Sequence, residues 1–390
     1  MPNAVPALKP KHYFLVALGA LAAWIAILLT ASRPYDFMGY YAAGSLLLRH
    51  PHDLYSLTAQ LAGERAVGIG KYALLTWAHP APEALLFAPL ALLSFHNAFA
   101  VWSAISLGMF VLSGCLLREE ILGLPEGCRY ALVAFSFYPV ASGLLVGQDH
   151  GLFLLLWVLA YRSWKAGDEF ASGLWIGLSL IRYQFAVPML LFFIVLRAWK
   201  LLRGVAISGC ALLAVSFLLV GNNLVLSYLK ALHFLAQAND GVALLCMPTI
   251  RGLAGWVLPS HDIIAAAVAV TGLLAWALLK VRGMSRLDAF CFAMAISLLA
   301  DPHAYLYEAV VLTIPLIMFL RRRPSSAILA FIVCALSFAS SFAQMENSAS
   351  RFMQTEDFAV LCPVLLVWAI WMGRVYGAQS PGQEAVVAIH

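Results

Sequence analysis

Three observations predict an all-α fold, a polytopic membrane helix bundle of about 12 spans. Of the 390 residues, 63% are hydrophobic and only 11% are charged, far more apolar surface than a soluble core of that length needs. The apolar runs approach the roughly 20 residues that a helix needs to cross a bilayer. The basic residues fall mainly on one side of those runs, as a fixed orientation in a membrane requires.

In chain order the spans are expected at 13–31, 97–117, 130–146, 150–164, 171–182, 185–197, 204–221, 262–279, 287–300, 304–320, 325–343 and 357–374. The whole chain, 1–390, then reads as a single transmembrane domain, with an outer loop at 32–96 that carries juxtamembrane helices and a cytoplasmic tail at 377–390. The first run, Tyr13 to Ala31, is uncharged and follows Lys9 and Lys11. It has the look of a signal peptide, but the many later apolar runs favour a retained anchor. Residues 83–94, EALLFAPLALLS, are too short to cross and contain Pro89, so a surface or re-entrant helix is expected there. Residues 171–197 are read as two short helices meeting at Arg182, because one continuous helix would bury Arg182, Tyr183 and Gln184 at mid-membrane. Broken helices at that depth are tolerated beside a protein-lined or water-filled cavity, so a cavity is expected near Arg182. With a cytoplasmic N-terminus, sixteen Lys and Arg residues lie inside and eight outside. Both long loops, 32–96 and 222–261, are outside, which makes the outer face the working face.

Asp36 follows the first apolar run within the stretch Arg33 to Tyr55, where a carboxylate can ionise at the water boundary yet face a cavity between helices. It is the candidate catalytic base, against the plainer reading as a helix N-cap. After it, Tyr40, Tyr41, Leu47 and Leu48 are expected on one stripe of a short surface helix. Other polar residues recur at the outer helix ends: His79, Gln148 with Asp149 and His150, Arg182 with Gln184, and Asp301 with His303 and Glu308. Each has a structural alternative. Asp149 and Asp301 can cap the helices that follow them, and Arg182 can pair with a lipid headgroup or with an acid distant in sequence.

Several chemistries are excluded. No G-x-G-x-x-G, Walker A or H-E-x-x-H motif is present, and no D-x-D pair on the outer loops suits a divalent ion, so neither a cofactor nor a metal is implied. The seven Cys show no C-x-x-C pair and fall mostly within apolar runs, as small buried hydrophobes do. The net charge of +5 sets topology and implies no nucleic acid.

The series DFMGYYAAGSLLLRHPHDLY, HPAPEALLFAPLALL, PVASGLLVGQDHGLFLLLWVLA, ASGLWIGLSLIRYQFAVPMLLFFIVLRAWK and LLADPHAYLYEAVVLTIPL resembles glycosyltransferase family 87 of the GT-C superfamily. That resemblance implies a GT-C-like bundle and an alpha-mannosyltransferase-like enzyme that takes its sugar from a polyprenyl-phosphate donor. Carried over, it makes Asp36 the base and puts Gln148 in a G-Q element and His303 in a Pro-His element. The chain has Arg182 where the family commonly shows Lys, and Asp301 where it shows Ser.

Together these features lead to an inverting transfer of a sugar to a glycan or glycolipid acceptor. Asp36 takes the acceptor proton, Arg182 holds the donor phosphate and His303 assists. Gln148, His79, Gln184, Tyr40, Tyr41, Trp77 and Tyr305 are the further candidate substrate contacts. A bacterial inner membrane fits this architecture. The alternatives are a lipid-linked sugar flippase or transporter that uses the same cavity without chemistry, and an assembly subunit of an envelope-building complex.

Overall fold

The structure, a computed structural model, describes residues 34–67, 75–238, 244–345 and 358–377, and every regular element among them is helical. The first expected span, 13–31, and the tail beyond Gly377 lie outside the described residues.

The outer loop folds into α1 (Tyr35–Arg49), α2 (Leu57–Ala66) and α3 (Ala81–Phe87). Ser56 starts α2 as an N-cap, its hydroxyl accepting the Ala59 N–H. The seven residues of α3 pass through Pro89 into a short 3-10 turn, Leu90–Leu92, and do not cross a membrane. In α1, Tyr40 and Leu47 are buried, whereas Tyr41 is half-buried and Leu48 exposed. The expected four-residue stripe therefore splits into two rows about 100° apart.

Among the described residues, six segments are long and apolar enough to cross a membrane: α4 (Phe95–Leu116), α6 (Glu126–Val146), the run Glu169–Val195, α10 (Trp199–Val220), the run Pro259–Val281 and the run Phe358–Gly377. The run Glu169–Val195 is broken as expected, into α8 (Glu169–Leu178), a 3-10 turn at Ser179–Arg182 and α9 (Tyr183–Val195). Between α4 and α6 lies the short α5 (Arg118–Leu122). Three other expected spans are shorter helices: α7 (His150–Lys165), α14 (Arg286–Ala300) and α15 (Thr313–Arg322). At 1.5 Å per residue, a helix of about 15 residues reaches only some 22 Å, less than the roughly 30 Å hydrocarbon core. Such a helix suits a place inside the protein. Every residue of α14 from Asp288 to Ala300 is buried, so protein surrounds it on all sides. The remaining helices are α11 (Leu224–Ala238), α12 (Ile250–Val257), α13 (Asp262–Val281), α16 (Ala327–Met345) and α17 (Cys362–Gly377).

Close backbone approach joins α8 to α10. A Cβ added at Gly173 would collide with the Leu201 carbonyl, and one at Gly204 with that of Phe170. Small residues at such crossings let helices meet where lipid supplies no hydrophobic drive. On the outside, α13 exposes Ile263, Ile264, Val268 and Leu279, an apolar face suited to lipid.

The buried apolar residues divide into two cores. The larger runs through the spans around Trp157, Phe290 and Phe319. The smaller joins Phe37, Tyr40, Trp77 and Phe87 of the outer loop to Phe99 and Trp102 of α4. At the far end of the bundle, basic residues pair between helices, Lys165 with Glu120 at 2.6 Å and Arg322 with Asp288 at 2.7 Å.

Gly147 ends α6 with φ +82°, and a Cβ there would lie 2.5 Å from that of Phe37. Left-handed backbone costs a side-chain-bearing residue about 1–2 kcal/mol before any clash. Gly147→Ala is therefore expected to lower the melting temperature in detergent, whereas Gly114→Ala, with nothing near its Cβ, is not.

Candidate active site

The site lies along the seam between the two cores and is assembled from helix ends. The left-handed turn at Gly147 aims Gln148 and Asp149 sideways before α7 begins, and the Trp102 indole N–H holds it by donating to the Gly147 carbonyl at 3.1 Å. Arg182 arrives from the broken helix, and Asp301 to Tyr305 form the link between α14 and a 3-10 stretch, Leu306–Leu312.

At the centre is Arg182, only 8% exposed. One terminal nitrogen, Nη1, donates to Glu308; the other, Nη2, donates to Asp149, to Gln148 Oε1 at 2.6 Å and to the Tyr40 hydroxyl at 3.0 Å. Tyr40 in turn donates to Gln148 Oε1 at 2.7 Å. Such charge-assisted contacts are the strong ones, and they engage both terminal nitrogens of the buried guanidinium, leaving Nε as its one nitrogen without a hydrogen-bond partner. Of the two readings open from sequence, donor phosphate or an acid distant in sequence, this geometry matches the second: the counter-ions of Arg182 are the protein's own Asp149 and Glu308. Asp149 occupies the N-cap position of α7, but its side chain makes no cap hydrogen bond because Arg182 engages it.

Asp36 stands beside this network. Gln148 Nε2 donates to Asp36 Oδ2 at 2.7 Å and also to the Tyr307 hydroxyl at 3.0 Å. Among the described residues no cation lies within ion-pair distance of Asp36, and the residue is half-buried, not sealed. Burial raises its carboxyl above the ordinary range, by more than the Gln148 donor and the distant Arg182 charge lower it. For Asp149, burial alone acts upward, but Arg182 holds the group well below the usual carboxylate range.

His79 Nδ1 lies 2.9 Å from Glu83 Oε2. Burial, with Arg182 nearby, pushes the imidazole down to about 4, while burial beside Asp149 pushes Glu83 well above its ordinary value. The imidazole is thus neutral at pH 7, and the close contact with Glu83 is not an ion pair. The loop carrying His79 is pinned by the Tyr55 hydroxyl on the His79 carbonyl at 2.9 Å and by the Tyr228 hydroxyl on the Ala78 carbonyl at 3.0 Å. His303 is likewise pushed down to about 4, by burial and then by Arg182 and Arg251. It therefore cannot supply a second positive charge at neutral pH. Asp301 accepts the His303 N–H at 2.8 Å and so holds the turn, and burial followed by Glu308 pushes its carboxyl up to about 8.

Of the residues singled out from sequence, Asp36, Tyr40, His79, Gln148, Asp149, Arg182 and Glu308 meet here. Tyr305 and His303 line up beyond them with ring centres 5.1 Å apart. Tyr41 does not join: its hydroxyl donates to the Leu93 carbonyl at 2.8 Å and its ring rests on Phe95. Gln184 makes no hydrogen bond with the cluster among the described residues. His150 is structural, with Nε2 3.1 Å from the Val140 carbonyl and its ring filling the space over Gly143. Trp77 packs edge-on against Tyr40 from behind. Glu83, Tyr307 and Arg251 were not singled out. The alternation HAYLY, with His303, Tyr305 and Tyr307 half-buried and Ala304 and Leu306 buried, was the signal for Tyr307. Among the described residues, no three His, Cys, Asp or Glu side chains are grouped to hold a metal ion.

A membrane helix bundle that gathers one half-exposed carboxylate, a row of aromatic rings and a buried ion network at its helix ends has the makings of a membrane-embedded transferase. The family model of glycosyltransferase family 87 matches residues 77–306, well over half of the chain, and the chain belongs to that family, a membrane glycosyltransferase. The match takes in His79, Gln148, Arg182, His303 and Tyr305, while Asp36 and Tyr40 precede it. No curated protein and no solved structure matches the chain.

Removing Arg182 strands two buried carboxylates, which typically costs about 3–5 kcal/mol. Arg182→Gln is expected to lower the yield of folded protein and its melting temperature in detergent, and Arg182→Lys, which keeps the charge, to lower them less.

Proposed function

We propose that the protein is an inverting hexosyltransferase that moves a sugar, mannose by family resemblance, from a polyprenyl-phosphate donor to a glycan or glycolipid acceptor. Its site opens on the extracytoplasmic face of a chain with about twelve crossings, several of them by short, protein-shielded helices. The pairing of basic residues at the opposite end of the bundle supports that orientation, since Lys and Arg favour the cytoplasmic side. A bacterial inner membrane is the proposed location.

The observation that carries this reading is the state of Asp36. Among the described residues it is oriented by Gln148 and balanced by no adjacent cation, and it is half-buried, so its second oxygen is available to a hydroxyl. A sugar hydroxyl attacks the anomeric carbon as Asp36 accepts its proton, the bond from that carbon to the phosphate oxygen breaks, and the phosphate leaves with the electron pair. The other carboxyls nearby are engaged. Asp149 and Glu308 hold Arg182, Glu83 touches His79, and Asp301 holds the His303 amide. With Asp36 the one accessible carboxylate at the site among the described residues, direct displacement with inversion is the mechanism that fits, because a covalent route needs a second one as nucleophile.

Purified protein given radiolabelled polyprenyl-phosphate mannose should release polyprenyl phosphate and label an acceptor, which neither a flippase nor an assembly subunit would do. Asp36→Asn should lose at least about 10²-fold in transfer while its melting temperature stays near wild type. Full turnover by that variant would remove Asp36 from the reaction.

The raised carboxyl of Asp36 also sets a pH dependence. A base works only when ionised, so transfer should fall as pH drops through the Asp36 pKa, with the acid limb lying above the range of an ordinary carboxylate. A pH–rate profile of wild type measures that limb directly.

A further inference from the structure

The donor reading calls for a cation at the leaving phosphate, and Arg182 is committed elsewhere. On the side of the bundle that holds the site, the other described basic residues are Arg49, Arg65, Lys230 and Arg251. The first three are exposed on helices away from the cluster. Arg251 is different. It stands in the first turn of α12, started by Thr249, whose hydroxyl accepts the Gly252 N–H. Its side chain is 21% exposed and leans over the turn that carries His303, with Nη1 donating to the Pro302 carbonyl at 3.3 Å. Its one acidic neighbour among the described residues, Asp262, stays 3.9 Å from Nε, and that buried nitrogen has no hydrogen-bond partner. A guanidinium so loosely balanced keeps donors in hand for a phosphate, which it meets through paired N–H groups.

Arg251 also lies in register with the base. From Asp36 the contacts run through Gln148 to the Tyr307 hydroxyl, then along three rings, Tyr307 to Tyr305 at 5.7 Å between centres and Tyr305 to His303 at 5.1 Å. His303 adjoins Pro302, on whose carbonyl Arg251 rests. Tyr305, midway, is within electrostatic reach of both Asp36 and Arg251. The three rings are half-buried, as are Asp36 and Arg251, whereas Arg182, Gln148, Asp149, Glu83 and Glu308 are sealed beneath them. The accessible row thus has an anion at one end, a cation at the other and flat rings between, a surface for a sugar whose anomeric carbon faces the acceptor on the side of the base and the leaving phosphate on the side of the cation.

We propose that Arg251 binds the phosphate of the sugar-phosphate donor, with His303 and Tyr305 carrying the transferred ring between it and Asp36. This rests on the transfer reading above. As the phosphodiester breaks, the acceptor proton goes to Asp36, and the phosphate gains one negative charge as it leaves. A cation at that oxygen then stabilises the transition state more than the bound donor.

The test uses purified full-length protein and two probes, polyprenyl phosphate and inorganic phosphate, read by thermal shift in detergent, followed by transfer kinetics with polyprenyl-phosphate mannose. Polyprenyl phosphate should raise the melting temperature of wild type and of Asp36→Asn but not that of Arg251→Gln, whose unliganded melting temperature should match wild type. Arg251→Lys should recover part of the shift. In kinetics, Arg251→Gln should lose at least about tenfold in kcat/KM for donor, with kcat falling as well as KM rising. An equal shift with inorganic phosphate would assign the site to free phosphate, while a shift confined to the lipid assigns it to the donor. If Arg251→Gln is stabilised by polyprenyl phosphate as wild type is, the assignment to Arg251 is overturned although transfer stands. If wild type binds neither probe and transfers no mannose, the donor reading itself fails.

Discussion

The arrangement of the site depends on one buried guanidinium. Arg182 comes from a broken helix, Asp149 from the junction of two further helices, and Glu308 from a 3-10 stretch 126 residues away in sequence. Two anions and a cation in a dry place are tolerable only together, since each alone costs several kcal/mol of lost hydration. The three segments are thereby clamped to one another, and Gln148 is held between them with its oxygen on Arg182 and its amide nitrogen on Asp36. An amide cannot present its two ends at random when one end is fixed by a guanidinium. Asp36 therefore always meets a donor and never a competing acceptor.

The network also explains why a charged residue inside an apolar run is structural here without ceasing to matter for chemistry. Arg182 does not touch the accessible row, but its field reaches Asp36, His79 and His303. After burial, which is the larger cause, it adds to keeping both imidazoles neutral, while it makes no direct ion pair with Asp36 that would disable it as a base.

Much of this was legible in the sequence where a residue violated its surroundings. A guanidinium within residues 171–197 marked the helix break, and polar residues at five helix ends on one side marked the place where a site would be built. Partner choice was not legible, because Arg182 finds Asp149 33 residues away and Glu308 126 away, and no local periodicity encodes such distances. Asp149 appeared as a cap because it precedes a helix, yet a buried guanidinium outcompetes backbone N–H groups for a carboxylate. The 3-10 stretch at Leu306–Leu312 was hidden in a run read as one span at 304–320, with no glycine or proline to mark it before Pro315. Glu83 opens the stretch 83–94, read as a surface or re-entrant helix with no role for this residue, and it is sealed at 1% exposure by the outer-loop core.

Helix α14, buried along its whole length from Asp288 to Ala300, ends at the turn that holds His303 and Tyr305. Bilayers differ in thickness, and helices in contact with acyl chains tilt or shift to match them. A helix that touches no acyl chain has no such reason to move. The rings at its tip thus stand on a post insulated from the surrounding lipid, while the lipid-facing α13 is free to adjust. Changes in membrane composition would then alter how the protein sits in the bilayer without altering the spacing across which a sugar is handed over.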